Sequence, residues 1–307
     1  MDRRTFLVTG GLALAGLATA CPKKKKDDLP VGATMAALVA SLRKTKNEEI
    51  SVIQAVENLL VKPQSRVSFA LVDKAGTKRF SGGRVQVYWS ATDSTVAALG
   101  PVTAEYHSEG LGDKGIYVAR IDIDHAADWN VLVTGKPGGA TGEVWGGAAY
   151  PAVEHVKGPA PGAKAISVAT PTVEDHRGVE PYCTDVPPCS MHKTSLDVAL
   201  ANGRPTVFII GTPRFCQSRV CGPVVRVIQT VSADFADRVN FVHAEVYKDD
   251  KNAPADLVNG FAPAAKAWSL EEEPVTYWIK PDNTVTERIV GPTDVAEVRS
   301  LTQALLG

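Results

Sequence analysis

The chain has 307 residues, 44% of them hydrophobic, and its 33 basic residues nearly balance 34 acidic ones to leave a formal charge of −1. That length gives room for two ordinary domains. The lack of a basic excess argues against nucleic acid as a partner, and the sparse aromatics form no visible base-stacking platform.

The first 21 residues, MDRRTFLVTGGLALAGLATAC, set Arg3 and Arg4 ahead of a short apolar run that ends in small residues before Cys21. A charged start, an apolar middle and a small-residue end make an export signal, and the run is about half the length that spans hydrocarbon comfortably. RRTFL resembles the twin-arginine export signal of bacteria, and LATAC resembles a lipobox in which Ala18 takes the place of the usual leucine. The lipobox resemblance implies that Cys21 becomes a lipidated N-terminus that anchors the protein to the membrane; ordinary signal cleavage is the other reading. Both place the mature chain outside the cytoplasm, in a bacterial cell envelope. Thiols there tend to pair, and the remaining Cys183, Cys189, Cys216 and Cys221 allow three connectivities.

Residues 22–49 read as a spacer: CPKKKKDDLPVGA is solvated, and TMAALVASLRKT has the period of a short helix. From 50 to 150 the period is two. RVSFALVD, RVQVYW, GIYVARIDI and WNVLVTG are short runs separated by turn residues, and ISVIQAVENLL reads as a first strand in preference to an amphipathic helix. Such spacing points to an all-β sandwich. The segment resembles the immunoglobulin-like domains of bacterial surface proteins, including the copper-resistance and FixH-like groups. His107 and His125 each stand alone in it. Residues 151–180, rich in Pro, Gly and Ala, read as a linker.

Residues 181–307 carry a different pattern. PTVFII is a buried strand, and Val224, Val225, Ile228, Val231 and Phe235 recur at helical steps after it. VNFVHAEVY is a second strand and NAPADLVNGFAPAAKAW holds a less regular helix. PVTYWI and TVTERIV flank a DN turn, and a last helix carries Val295, Val298, Leu301 and Leu305. The order strand, helix, strand, helix, hairpin, helix gives a mixed α/β domain.

With a cysteine at the first strand–helix junction, this order resembles the thioredoxin fold, closest to the extracytoplasmic peroxiredoxin, TlpA-like and Sco-like branches. Pro274 matches the family's cis-proline beside the active-site cysteine, and Gly291 a glycine after the fourth strand. The resulting fold class is α+β multidomain, an immunoglobulin-like sandwich followed by a thioredoxin-like domain. The resemblance implies thiol–disulfide exchange with protein thiols or disulfides, and no cofactor. The family's usual spacing is Cys-x-x-Cys, or Cys-x-x-x-Cys in Sco proteins, whereas Cys216 and Cys221 have four residues between them.

On a regular helix, residues five apart lie about 8.6 Å apart at Cα, beyond the roughly 4.4–6.8 Å of a disulfide. Either Cys216 sits in the loop before the helix, or the helix starts only near Pro223; the segment 216–220 is irregular in both cases. Cys216 is the candidate nucleophile, facing a helix N-terminus and near Arg214 or Arg219, and Cys221 the resolving thiol. A permanent staple and a metal site are the competing readings of the pair. Cys183 and Cys189 bracket TDVPP, a bent loop expected to hold a structural disulfide. Met191, His192 and His243 are candidate soft-metal ligands, although no common zinc spacing is present and His243 fits a core histidine as well. Three functions remain: exchange through Cys216 and Cys221, a Sco-like copper chaperone using both thiols and a histidine, or a surface module with structural disulfides.

Overall fold

The computed structural model describes residues 29–92, 95–216, 219–249 and 260–307. The export signal and Cys21 lie outside the described residues. After helix α1 (Met35–Leu42), capped by Thr34 Oγ1 accepting from the Ala37 N–H, come ten strands. They are β1 (Glu48–Glu49), β2 (Ser51–Gln54), β3 (Leu59–Leu60), β4 (Lys62–Val72), β5 (Arg79–Phe80), β6 (Arg84–Ala91), β7 (Leu99–His107), β8 (Ile116–Ile123), β9 (Asp128–Gly135) and β10 (Val144–Val153). Alternation drives their burial. Val67, Phe69 and Leu71 of β4, Val85, Val87 and Trp89 of β6, and Val131 and Val133 of β9 all enter one core.

The strands form one continuous sheet in the order β1-β10-β9-β6-β7-β8-β4-β2, with β3 on β10 and β5 on β4. Only Ile50 separates β1, paired with β10, from β2, paired with β4, so the two ends of the order meet and the sheet wraps its core. β7 gave no sequence signal because most of its residues are exposed and Gly100–Pro101 interrupts the run. β10, also missed, carries the sheet three residues into the stretch read as a linker. Beyond it residues 154–195 hold no helix or strand, yet Lys164 bridges to Thr284.

The second unit comprises α2 (Leu196–Ala201), β11 (Thr206–Ile210), α3 (Cys221–Phe235), β12 (Asn240–Ala244), α4 (Pro263–Ala267), β13 (Val275–Ile279), β14 (Val285–Val290) and α5 (Val295–Ala304). Its sheet order is β12-β11-β13-β14, with β11 and β12 parallel and the other pairs antiparallel. Apart from the short α2, this is the succession of elements that carries the thioredoxin resemblance. All five residues of β11 are buried, because both sheet faces are covered. Val207 and Ile209 pack with Val224, Ile228, Val231 and Val298 from α3 and α5, while Phe208 and Ile210 pack with Leu196, Trp268 and Tyr277 on the other face.

The start of α5 joins the two units. Arg66 of β4 forks onto Glu297, with Nε–Oε1 at 2.8 Å and Nη2–Oε2 at 2.9 Å, and also donates to the Pro292 carbonyl. Burial works against the Glu297 charge, but the Arg66 guanidinium holds its carboxyl below the ordinary range. Asp294 caps α5 by accepting from the Glu297 N–H and also meets His107 of β7 at 3.1 Å. Gly291 has φ +77°, and a Cβ there would collide with the Ala55 carbonyl oxygen.

Candidate active site and a second cysteine–histidine cluster

Cys216 lies in the loop after β11, and Cys221 is the first residue of α3. Their sulfurs are bonded, and the Cα atoms are 5.9 Å apart. That separation is well short of the value for one regular helix, because the helix begins only at the second cysteine. Arg219 turns the intervening loop with φ +58°, and its N–H donates to the Cys216 carbonyl at 3.2 Å.

The Cys221 N–H, one of the helix's orphan donors, points at Cys216 Sγ at 3.3 Å. This is where a helix N-terminus favours a negative sulfur. Cys221 is fully buried, and its Sγ lies 3.6 Å from Glu273 Oε2. That carboxylate also accepts from the Thr212 N–H at 3.1 Å, and burial pushes its pKa up to about 7. The peptide from Glu273 to Pro274 is cis. A Cβ on Gly211 would stand 3.1 Å from Pro274 Cβ and 3.7 Å from Cys221 Cβ, so the strand end, the proline and the helix start meet closely there. A cleft of about 890 Å³ runs between the two units beside this site, bordered by Val56, Val220, Tyr247, Phe261 and Glu273.

Cys183 and Cys189 depart from expectation. They are free, not bridged, and both are buried. Each sulfur faces a histidine instead: Cys189 Sγ is 3.3 Å and Cys183 Sγ 3.9 Å from His243 Nδ1, and the Cys189 N–H donates to Cys183 Sγ at 3.3 Å. His192 completes the group with its Nε2 3.0 Å from His243 Nδ1. The strand register explains this placement. His243 pairs with Ile209, which faces α3, and the lead-in loop before α2 (residues 181–195) packs Cys183, Cys189 and Met191 into the same core as Ile209, its Met191 carbonyl accepting from the His243 N–H. The copper reading called for a histidine beside Cys216 and Cys221, and its two candidates, His192 and His243, group with Cys183 and Cys189 instead. Among the described residues the groups able to hold an ion are Cys183, Cys189, His192 and His243 on one side, and Cys216, Cys221 and Glu273 on the other.

The hydrogen bond from the Cys189 thiol holds Cys183 well below the ordinary thiol range against the effect of burial, with both histidines helping; Cys189 is pushed up correspondingly. Burial lowers His192. Burial also pulls on His243, but the Cys183 sulfur and Glu245 outweigh it and raise that imidazole. Glu245, pushed up to about 7 by burial, accepts from the Thr184 N–H at 2.6 Å and lies 4.0 Å from His243 Nε2. Sequence reasoning missed Glu245 and Glu273, since neither lies in a motif and only the fold buries them. Cys183-x5-Cys189-x2-His192 was a visible local signal, but its fourth member stands 51 residues away.

No family model and no curated protein matches the chain. Among solved structures, a Chlorobium tepidum protein described as a thiol:disulfide interchange protein DsbE is 14% identical over 48% of this chain and 99% of its own, with a TM-score of 0.34. A thioredoxin-family thiol:disulfide interchange protein from Chlorobium tepidum TLS is 17% identical over 50% of this chain and 100% of its own, with a TM-score of 0.31. MTB dsbF, in mixed oxidized and reduced forms, is 17% identical over 45% of this chain and 95% of its own, with a TM-score of 0.29. Scores this low say nothing about chemistry, which rests on the geometry above.

Proposed function

We propose that the chain is an exported thiol–disulfide exchange protein acting through Cys216 and Cys221. The observation that supports this best is the asymmetry of the bonded pair: Cys216 Sγ receives the first N–H of α3, while Cys221 is buried against Glu273. In the reduced protein, the Cys216 thiolate attacks one sulfur of a partner's disulfide. The other partner sulfur leaves as a thiolate, and a mixed disulfide forms. Cys221 passes its proton to Glu273 and attacks Cys216 Sγ. The Cys216–Cys221 bond forms, and the partner's second sulfur leaves reduced.

Pro274 flanks the pair, where a partner's extended segment would pass, and the cleft beside Val220 gives that segment room. Residues 50–150 form an immunoglobulin-like module in this reading, residues 151–180 join it to the exchange domain at 181–307, and a lipid on Cys21 holds both at the membrane face of the cell envelope.

A redox titration of the mature protein, with Cys216→Ser as control, tests the exchange reading. A reversible two-electron couple in the range of known exchange proteins, absent from the variant, is the expected result. A bridge that stays oxidised far below the potential of thioredoxin makes the pair a staple instead. Mass spectrometry of the mature N-terminus reads the lipid on Cys21 directly.

A further inference from the structure

Cys183, Cys189, His192 and His243 stand apart from the exchange chemistry, and all four are buried. Their hydrogen bonds aim them inward. His243 Nε2 is 2.8 Å from the Gly211 carbonyl oxygen, and His192 Nδ1 is 3.3 Å from the Pro171 carbonyl oxygen. A carbonyl can only accept, so each of these nitrogens is an N–H donor, and in the neutral ring the other nitrogen carries the lone pair. Those two nitrogens, His192 Nε2 and His243 Nδ1, face one another at 3.0 Å. Facing lone pairs repel unless a proton or a cation stands between them, and carbonyl-bonded distal nitrogens are the usual support of metal-ligating histidines.

The spacing fits a metal as well. Zinc bonds of about 2.0 Å to nitrogen and 2.3 Å to sulfur give a tetrahedron with edges of about 3.3–3.8 Å. The distances here are 3.0 Å between the nitrogens and 3.3 and 3.9 Å from His243 Nδ1 to the two sulfurs, and no two ligand atoms are more than 4.8 Å apart.

We propose that Cys183, Cys189, His192 and His243 form a closed tetrahedral site for one zinc ion, which pins the lead-in loop to β12. Charge selects zinc over copper(I). Two thiolates, two neutral imidazoles and a divalent ion sum to zero, whereas a monovalent ion leaves a net negative charge in a buried site already next to the Glu245 carboxyl. Loading is balanced: the ion enters a cluster brought to two thiolates and two neutral imidazoles, and the protons that the four side chains held leave to solvent. The site has no open ligand position among these four donors, which marks it as structural.

The test loads the reduced chain with zinc, removes the excess, and measures bound metal in the parent, a Cys216→Ser/Cys221→Ser variant, a Cys183→Ser variant and a His243→Ala variant. About one equivalent is expected in the first two and none in the last two. Cobalt substitution of the variant lacking the dithiol checks the ligands without relying on weakened folds. Tetrahedral visible bands and a thiolate charge-transfer band are expected, and they survive deletion of the exchange cysteines, so this site stands or falls independently of the exchange reading. Zinc that disappears with Cys216 and Cys221, a folded parent that takes up none, or copper(I) retained where zinc is not would each overturn the assignment.

Discussion

Two cysteine pairs with nearly the same spacing lie within one domain and have opposite fates. Cys216 and Cys221, with four residues between them, are bonded; Cys183 and Cys189, with five, are not. Spacing does not separate them; the neighbours do. The first pair has a helix N–H on one sulfur and a carboxylate near the other. The second has two imidazoles against its sulfurs and lies under the loop that covers β12. Under the two proposals, the pair placed between a dipole and a proton acceptor serves exchange, and the one placed against two imidazoles holds a cation.

The sharpest way to break this contrast is to remove one sulfur from the bonded pair. Cys216→Ser should reduce catalysed reduction of a model protein disulfide to the uncatalysed background. Cys221→Ser should instead accumulate a mixed disulfide with the partner, visible on a non-reducing gel. If both variants behave alike, the assignment of nucleophile and resolving thiol is wrong.

Next in size is His243→Ala. It empties a fully buried position and strips partners from both thiols and His192, so urea unfolding should show a loss of about 3 kcal/mol. A loss below about 1 kcal/mol would mean that the second cluster does not organise the loop.

Glu273→Gln sharpens the first half of the comparison. Without the carboxylate as proton acceptor, the resolving step should slow by about 10²-fold. Its rate should also lack the rise near pH 7 expected of the parent as Glu273 deprotonates. Stability moves the other way. Because the folded carboxyl titrates near 7 and the ordinary one near 4.5, its contribution is fully present below about pH 4.5 and is lost as pH rises through 7. The oxidised Gln variant should lack that fall, and the difference between parent and variant cancels Glu245, which titrates in the same range in both.

The smallest effect belongs to Arg226→Ala. Arg226 on α3 meets Asp185, in the loop between the two unbonded cysteines, at 2.8 Å, with Arg226 more than half exposed. A loss under about 1 kcal/mol is expected, with the redox potential of Cys216–Cys221 unchanged. A shifted potential would show that the two sites communicate through this ion pair.

Much of this was legible in the chain. The alternation in RVSFALVD and RVQVYW gave β4 and β6, and the stripe from Val224 to Phe235 gave α3. The five-residue step between Cys216 and Cys221 required an irregular start to that helix, and α3 does begin at Cys221. These are local matters: side-chain period and helix rise follow from backbone geometry, whatever packs around them.

What the tertiary structure decided is long-range. The bridge expected between Cys183 and Cys189 rested on their nearness in sequence, but His243 arrives from β12 through its parallel pairing with β11. The raised carboxyls of Glu245 and Glu273 are a matter of burial, which no single residue announces. The docking of Arg66 onto Glu297 spans 231 residues. A sequence fixes which groups exist and which face of its own element each takes; only the packing of one element on another sets which groups meet, and so whether two thiols bond, exchange or hold a metal.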